Sequence, residues 1–77
     1  MNGGLMDRPW HCLSEFGATY EAEAFREWCE RQGYQTGEPK RPFLYVRVFA
    51  PRSAIVAIQQ ETYRRGGKVI KAAPVQR

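Results

Sequence analysis

The sequence predicts a small α+β domain: a three-stranded β-sheet with two α-helices in the order strand-helix-strand-helix-strand. Three observations carry this. Residues 43–50 alternate as a strand does, with Leu44, Val46, Val48 and Ala50 on one face and Phe43, Tyr45, Arg47 and Phe49 on the other. Two segments place apolar residues at helical spacing, and each ends at a glycine, Gly33 or Gly66. A short β-branched run, Val69-Ile70, follows the second glycine stop.

Residues 10–16 read as the first strand, because Trp10, Cys12 and Phe16 alternate with His11 and Glu15. Gly17 and Ala18 turn the chain. Thr19 is the expected N-cap of the first helix, with Glu21 and Glu23 in its first turn, where the helix dipole favours carboxylates. Phe25, Trp28 and Cys29 fall on one face of that helix and form its buried side. Residues 33–42, with two glycines and two prolines, read as a loop. It is longer than the roughly 4–6 residues usual inside a small domain, which suggests a contact loop.

The strand over residues 43–50 is apolar on both faces, with Arg47 set among three aromatics. It reads as a central strand with one face under the helices and the other left for a partner. Pro51 ends it, and Ser53 is the expected cap of a second helix over residues 54–65, whose inner face carries Ile55, Ile58 and Thr62. Residues 68–73 form the third strand, stopped by Pro74. Residues 1–9 are expected to be an N-terminal tail, residues 10–75 the single domain, and residues 76–77 a short end.

A chain of 77 residues makes a small core. At this size about 60% of the unfolded surface is buried, so stability needs unusually good packing or a partner. There is no apolar run approaching the roughly 18 residues of a membrane span. Nor does the N-terminal segment carry the basic and apolar regions of a signal peptide. Two cysteines, Cys12 and Cys29, allow one disulfide at most. A small binding or assembly module fits better than an enzyme.

The net charge of +4 hides a division along the chain. Residues 1–38 hold three cations against seven carboxylates, −4, while residues 39–77 hold nine cations against one carboxylate, +8. A +8 half attracts an acidic partner, either a nucleic-acid backbone or an acidic protein.

Catalytic and metal motifs are scarce. His11, Cys12 and Cys29 are the only soft ligand candidates, and no C-x-x-C spacing occurs. Cys12 and Cys29 read as small core residues and His11 as a surface strand residue. A Cys29–His11 catalytic pair would lack an orienting third group. Gly66-Gly67-Lys68 follows a helix and precedes a strand, the reverse of a phosphate-binding loop, so both glycines read as structural. The most informative feature is the Phe43, Tyr45, Arg47, Phe49 row. Aromatics on an open sheet stack on bases in single-strand binders, with neighbouring cations on phosphates, and the same row suits an apolar, acidic protein cavity.

Residues 43–75 resemble the CpcD-like domain of small phycobilisome linker polypeptides, the rod-capping and core-capping linkers. The similarity lies in the aromatic strand Phe43-Leu44-Tyr45-Val46-Arg47-Val48 ending at Pro51, Gln59-Gln60-Glu61 within the helix, and the close Tyr63-Arg64-Arg65-Gly66-Gly67-Lys68-Val69-Ile70-Lys71. Arg52 stands where the family commonly has an aromatic residue, and the acidic first helix with Trp28 has no counterpart in the pattern. The resemblance implies a non-enzymatic, non-chromophoric linker that inserts into the central cavity of an acidic phycobiliprotein ring. It implies proximity to the bilins of partner subunits rather than a covalent cofactor, and a place on the cytoplasmic face of the thylakoid membrane. The expected contact set is Phe43, Tyr45, Arg47, Phe49 and Arg52, with Arg64, Arg65, Lys68 and Lys71 supplying positive field and Gly66 and Gly67 shaping the turn. On this reading no nucleic-acid partner and no membrane insertion are expected. The competing expectations are a single-strand nucleic-acid module using the same face, and a redox role through Cys29.

Overall fold

The computed structural model describes residues 8–76, so residues 1–7 of the tail expected over 1–9, and the final residue, lie outside the described residues. Six elements follow one another: β1 (Pro9–Glu15), α1 (Thr19–Arg31), β2 (Gln35–Thr36), β3 (Tyr45–Pro51), α2 (Arg52–Arg64) and β4 (Lys68–Pro74). The fold is α+β, with a four-stranded antiparallel sheet in the order β2-β3-β1-β4. The expected three strands are therefore four. The addition is β2, inside the segment read as a loop.

Two residues make β2, too few for any alternation to register. It is held from both sides instead. Gln35 and Thr36 pair with Phe49 and Val48, and the Gly37 amide extends the ladder to the Arg47 carbonyl at 2.8 Å. On the helix side, Arg26 donates to Thr36 Oγ1 at 3.0 Å and to the Gly37 carbonyl, while Thr36 Oγ1 donates to Glu30 Oε2 at 3.2 Å. Polar groups of α1 thus position the edge strand.

The strand limits differ slightly from expectation: β1 begins at Pro9, and β3 begins at Tyr45 rather than Phe43. Phe43 takes φ 64, a left-handed conformation unfavourable for a bulky side chain, so the strand alternation does not reach back to it. Neither expected hydroxyl cap forms. Thr19 and Ser53 lie inside their helices, and the capping positions, Ala18 and Pro51, are extended and make no side-chain cap bond. In each case a single extended residue leads directly into the first helical turn, without a side-chain oxygen capping it.

The glycine stops form as expected. Gly33 has φ 88, and the Gly33 and Tyr34 amides return to the Glu30 and Cys29 carbonyls, both at 3.0 Å. Gly66 has φ 83, and the Gly66 and Gly67 amides return to the Tyr63 and Thr62 carbonyls at 3.0 and 2.9 Å. Both helices end in the same two-bond closure, in which a left-handed residue satisfies the last carbonyls.

Both helices cover one face of the sheet. Phe25 and Cys29 of α1 and Ile55 and Ile58 of α2 are buried against Cys12, Val46, Val48 and Ala50. An aromatic chain extends this core: Phe16 and Phe25 lie 5.1 Å apart, Phe25 and Trp28 6.2 Å, and Trp28 and Tyr34 6.2 Å. Trp28 therefore belongs to the packing of the acidic helix. Cys12 and Cys29 are both free and buried. Burial raises the Cys12 thiol and pushes Cys29 up to about 12, so neither offers a thiolate near neutral pH.

The charge division along the chain is not a division in space. β1, from the acidic half, lies between β3 and β4 of the basic half. Glu15 consequently sits 3.9 Å from Lys68.

Candidate docking face

Among the described residues, no element covers the second face of the sheet. Antiparallel partners project to the same side, so the register defines this open face. Tyr45, Arg47 and Phe49 of β3 stand opposite Glu15, Leu13 and His11 of β1. Lys68 and Lys71 of β4 stand opposite Glu15 and Leu13. The alternation of β3 is clean: Val46, Val48 and Ala50 are buried, whereas Tyr45 and Arg47 are exposed and Phe49 is half-buried. Tyr45 keeps 42% of its surface accessible, enough to offer a ring face to a partner.

Hydrogen bonds fix the orientation of this row. Tyr45 donates its hydroxyl to Glu15 Oε2 at 3.1 Å. That bond, then the carboxylate charge, raises the phenol above its ordinary value. Arg47 Nη1 donates to His11 Nδ1 at 2.6 Å, an arrangement that requires this nitrogen to be unprotonated. Desolvation, followed by the charges of Arg47 and Lys71, lowers the His11 pKa. The centre of the face therefore holds a neutral imidazole between cations at neutral pH.

The structure brings together five of the nine expected contact residues: Tyr45, Arg47, Phe49, Lys68 and Lys71. The other four lie elsewhere. Phe43 lies in the bend before β3 and lines a second cleft, of about 270 Å³, beside Ala22, Arg26 and Val46. Arg52 opens α2 and places its guanidinium 5.6 Å over the Trp10 ring. Arg64 and Arg65 are in the helical layer, on the far side of the sheet. Both flank Glu61, at 3.7 and 2.8 Å respectively, and that carboxylate is largely buried. Their positive field is therefore partly neutralised within the domain.

Gly66 and Gly67 shape the turn into β4, as expected. A Cβ on Gly67 would lie 2.5 Å from Phe16 Cε1 and 2.7 Å from the Glu15 carbonyl oxygen, so no side chain fits there. Sequence reasoning did not place His11, Leu13 and Glu15 on the face. Their alternation with Cys12 and Ser14 carried the signal, but without the register nothing set these residues beside Tyr45 and Arg47.

The face carries rings, cations and one carboxylate. Among the described residues no three His, Cys, Asp or Glu side chains gather as a metal site. No described helix is long and apolar enough to cross a membrane. No family model, curated protein or solved structure matches the chain.

Proposed function

We propose that this protein is a non-chromophoric linker or capping protein. It docks its open sheet face inside the acidic central cavity of a phycobiliprotein ring, stabilising the antenna assembly and tuning energy transfer among nearby bilins. The observation that carries the reading is the Tyr45-Arg47-Phe49 row, exposed at Tyr45 and Arg47, which shares with Lys68 and Lys71 the sheet face opposite the two helices. Such a face gains burial only from a partner, and its cations favour an acidic one. The resemblance over residues 43–75 supports the choice of host. Its strand, helix and closing strand correspond to β3, α2 and β4, and its Gly-Gly-Lys lies at the turn into β4. Arg64 and Arg65 belong to long-range steering, since they face away from the docking surface.

The test is reconstitution with purified phycobiliprotein hexamers, followed by sedimentation and fluorescence emission. Tyr45→Ala with Arg47→Ala is expected to weaken assembly by at least about tenfold, the scale of central aromatic and arginine contacts. Unchanged assembly would refute the face.

One observation favours a second reading, a single-strand nucleic-acid module. The β-α-β-β-α-β order sets Tyr45 and Phe49 on a central strand of a four-stranded antiparallel sheet, an arrangement used for stacking bases. Oligonucleotide binding that falls steeply with salt, in the absence of any ring association, would select it.

A further inference from the structure

Between the open face and the loop that joins β2 to β3 lies a cleft of about 440 Å³. This size is within the roughly 300–1,000 Å³ of small-molecule sites. The cleft is lined by Leu13, Tyr45 and Arg47 from the sheet and by Glu38, Lys40 and Arg41 from the loop. Three cations thus converge on one concavity beside an aromatic ring. Among the described residues, none of the three makes an ion pair. Arg41 lies 5.9 Å from the Phe43 ring centroid, and Arg47 uses one of its nitrogens on His11. Most of their donors remain available, since a guanidinium offers five and an ammonium three.

The same lining holds a carboxylate, Glu38. A site for a bare anion would be weakened by Glu38. A ligand that is anionic at one end and carries N–H or O–H donors at the other would use both signs. The Tyr45 ring, anchored through its hydroxyl to Glu15, offers a flat surface for a planar group, and Leu13 adds an apolar side chain to the same lining. We propose that this cleft binds a nucleoside 5′-phosphate. The base stacks on Tyr45, the phosphate is held by Lys40, Arg41 and Arg47, and Glu38 accepts from the base amino group or the ribose hydroxyls. The inference stands apart from the docking reading. Because Tyr45 and Arg47 serve both, bound nucleotide and a docked ring compete.

The ligand has two sources, a free nucleotide or one unit of a single strand, and the experiment separates them. The full chain is titrated with adenosine 5′-monophosphate, adenosine, inorganic phosphate and a short single-stranded oligoadenylate, and read by amide chemical shifts. Adenosine 5′-monophosphate is expected to saturate, with adenosine and phosphate each at least about tenfold weaker, since stacking and phosphate contacts both contribute. Lys40→Ala with Arg41→Ala, both exposed loop positions, is expected to weaken the nucleotide by at least about tenfold. Tyr45→Phe retains the ring and binding, and Tyr45→Leu loses it. Glu38→Gln is the most discriminating variant: a patch that merely attracts anions would bind more tightly once the carboxylate is neutralised, whereas the proposed site binds more weakly. An oligonucleotide no tighter than the mononucleotide identifies a free nucleotide as the ligand, and a tighter one identifies a strand. The proposal is overturned if phosphate binds as well as the nucleotide, if the Lys40/Arg41 variant binds unchanged, or if Glu38→Gln leaves affinity equal or raised. Ring docking that survives such a result would leave the docking reading intact.

Discussion

The Ser14 and Thr62 hydroxyls share a hydrogen bond of 2.8 Å, in a position where both residues are completely buried. Thr62 Oγ1 also lies 2.9 Å from the Ile58 carbonyl. This pair ties the central strand β1 to α2 in an otherwise apolar core. Thr62→Val deprives the Ser14 hydroxyl of this partner and is expected to cost about 1–3 kcal/mol. Ser14→Ala leaves Thr62 bonded to Ile58 and is expected to cost about 1 kcal/mol. The double variant should be less destabilised than the sum of the two, and urea denaturation of the three proteins measures the coupling.

The two glycines after α2 should respond differently. Gly66→Ala forces a Cβ into a left-handed conformation and is expected to cost about 1–2 kcal/mol. Gly67→Ala instead drives a methyl into the Phe16 ring and the Glu15 carbonyl, contacts that only a shift of the end of β1 can relieve. A loss of more than about 2 kcal/mol is expected, with the near-ultraviolet signal of the core aromatics altered. Equal losses at the two positions would contradict the contact.

The thiols should be silent in the folded protein. Burial and the mutual repulsion of the two thiolates raise Cys29 to about 12, and Cys12 is raised by burial. An aromatic disulfide reagent at about pH 8 is expected to label neither in the native state and both after denaturation, since the thiolate is the nucleophile. Rapid labelling of native Cys29 would revive the redox expectation.

Stability should fall on acidification through the histidine range. His11 has a folded pKa below its ordinary 6.5, so the unfolded chain binds the proton more readily. Its effect is absent well above 6.5 and grows as pH falls from 6.5 to the lower folded value, in the direction of destabilisation. His11→Gln is expected to flatten this part of a melting-temperature profile taken between about pH 8 and about pH 5. A parent profile no steeper than that of the variant would exclude the effect.

Sequence periodicity captured the elements with long, regular patterns. The inner faces Phe25-Cys29 and Ile55-Ile58-Thr62 are buried, and both glycine stops fall at the expected residues. What it could not carry depends on pairing. β2 exists because Arg26 and Glu30 hold its Thr36 and because β3 has an open edge, not because two residues show a pattern. The expected contact set grouped cations by position in the chain, and the fold then placed Arg64 and Arg65 in the helical layer and Lys68 and Lys71 on the sheet. Phe43 was assigned by extending an alternation that the backbone breaks at that residue.

The sheet order has a consequence for how the polypeptide comes into being. β1, the first strand, pairs along its length with β3 on one side and with β4, the last element, on the other. The final ladder bond runs from the Val75 amide back to the Pro9 carbonyl. A chain emerging from its N-terminus therefore holds its central strand half-paired until residues 68–75 are made. Contacts of such long sequence separation slow folding and make it all-or-none. No stable half-domain is expected on the way, and loss of β4, an edge strand, would leave one whole side of β1 without a partner.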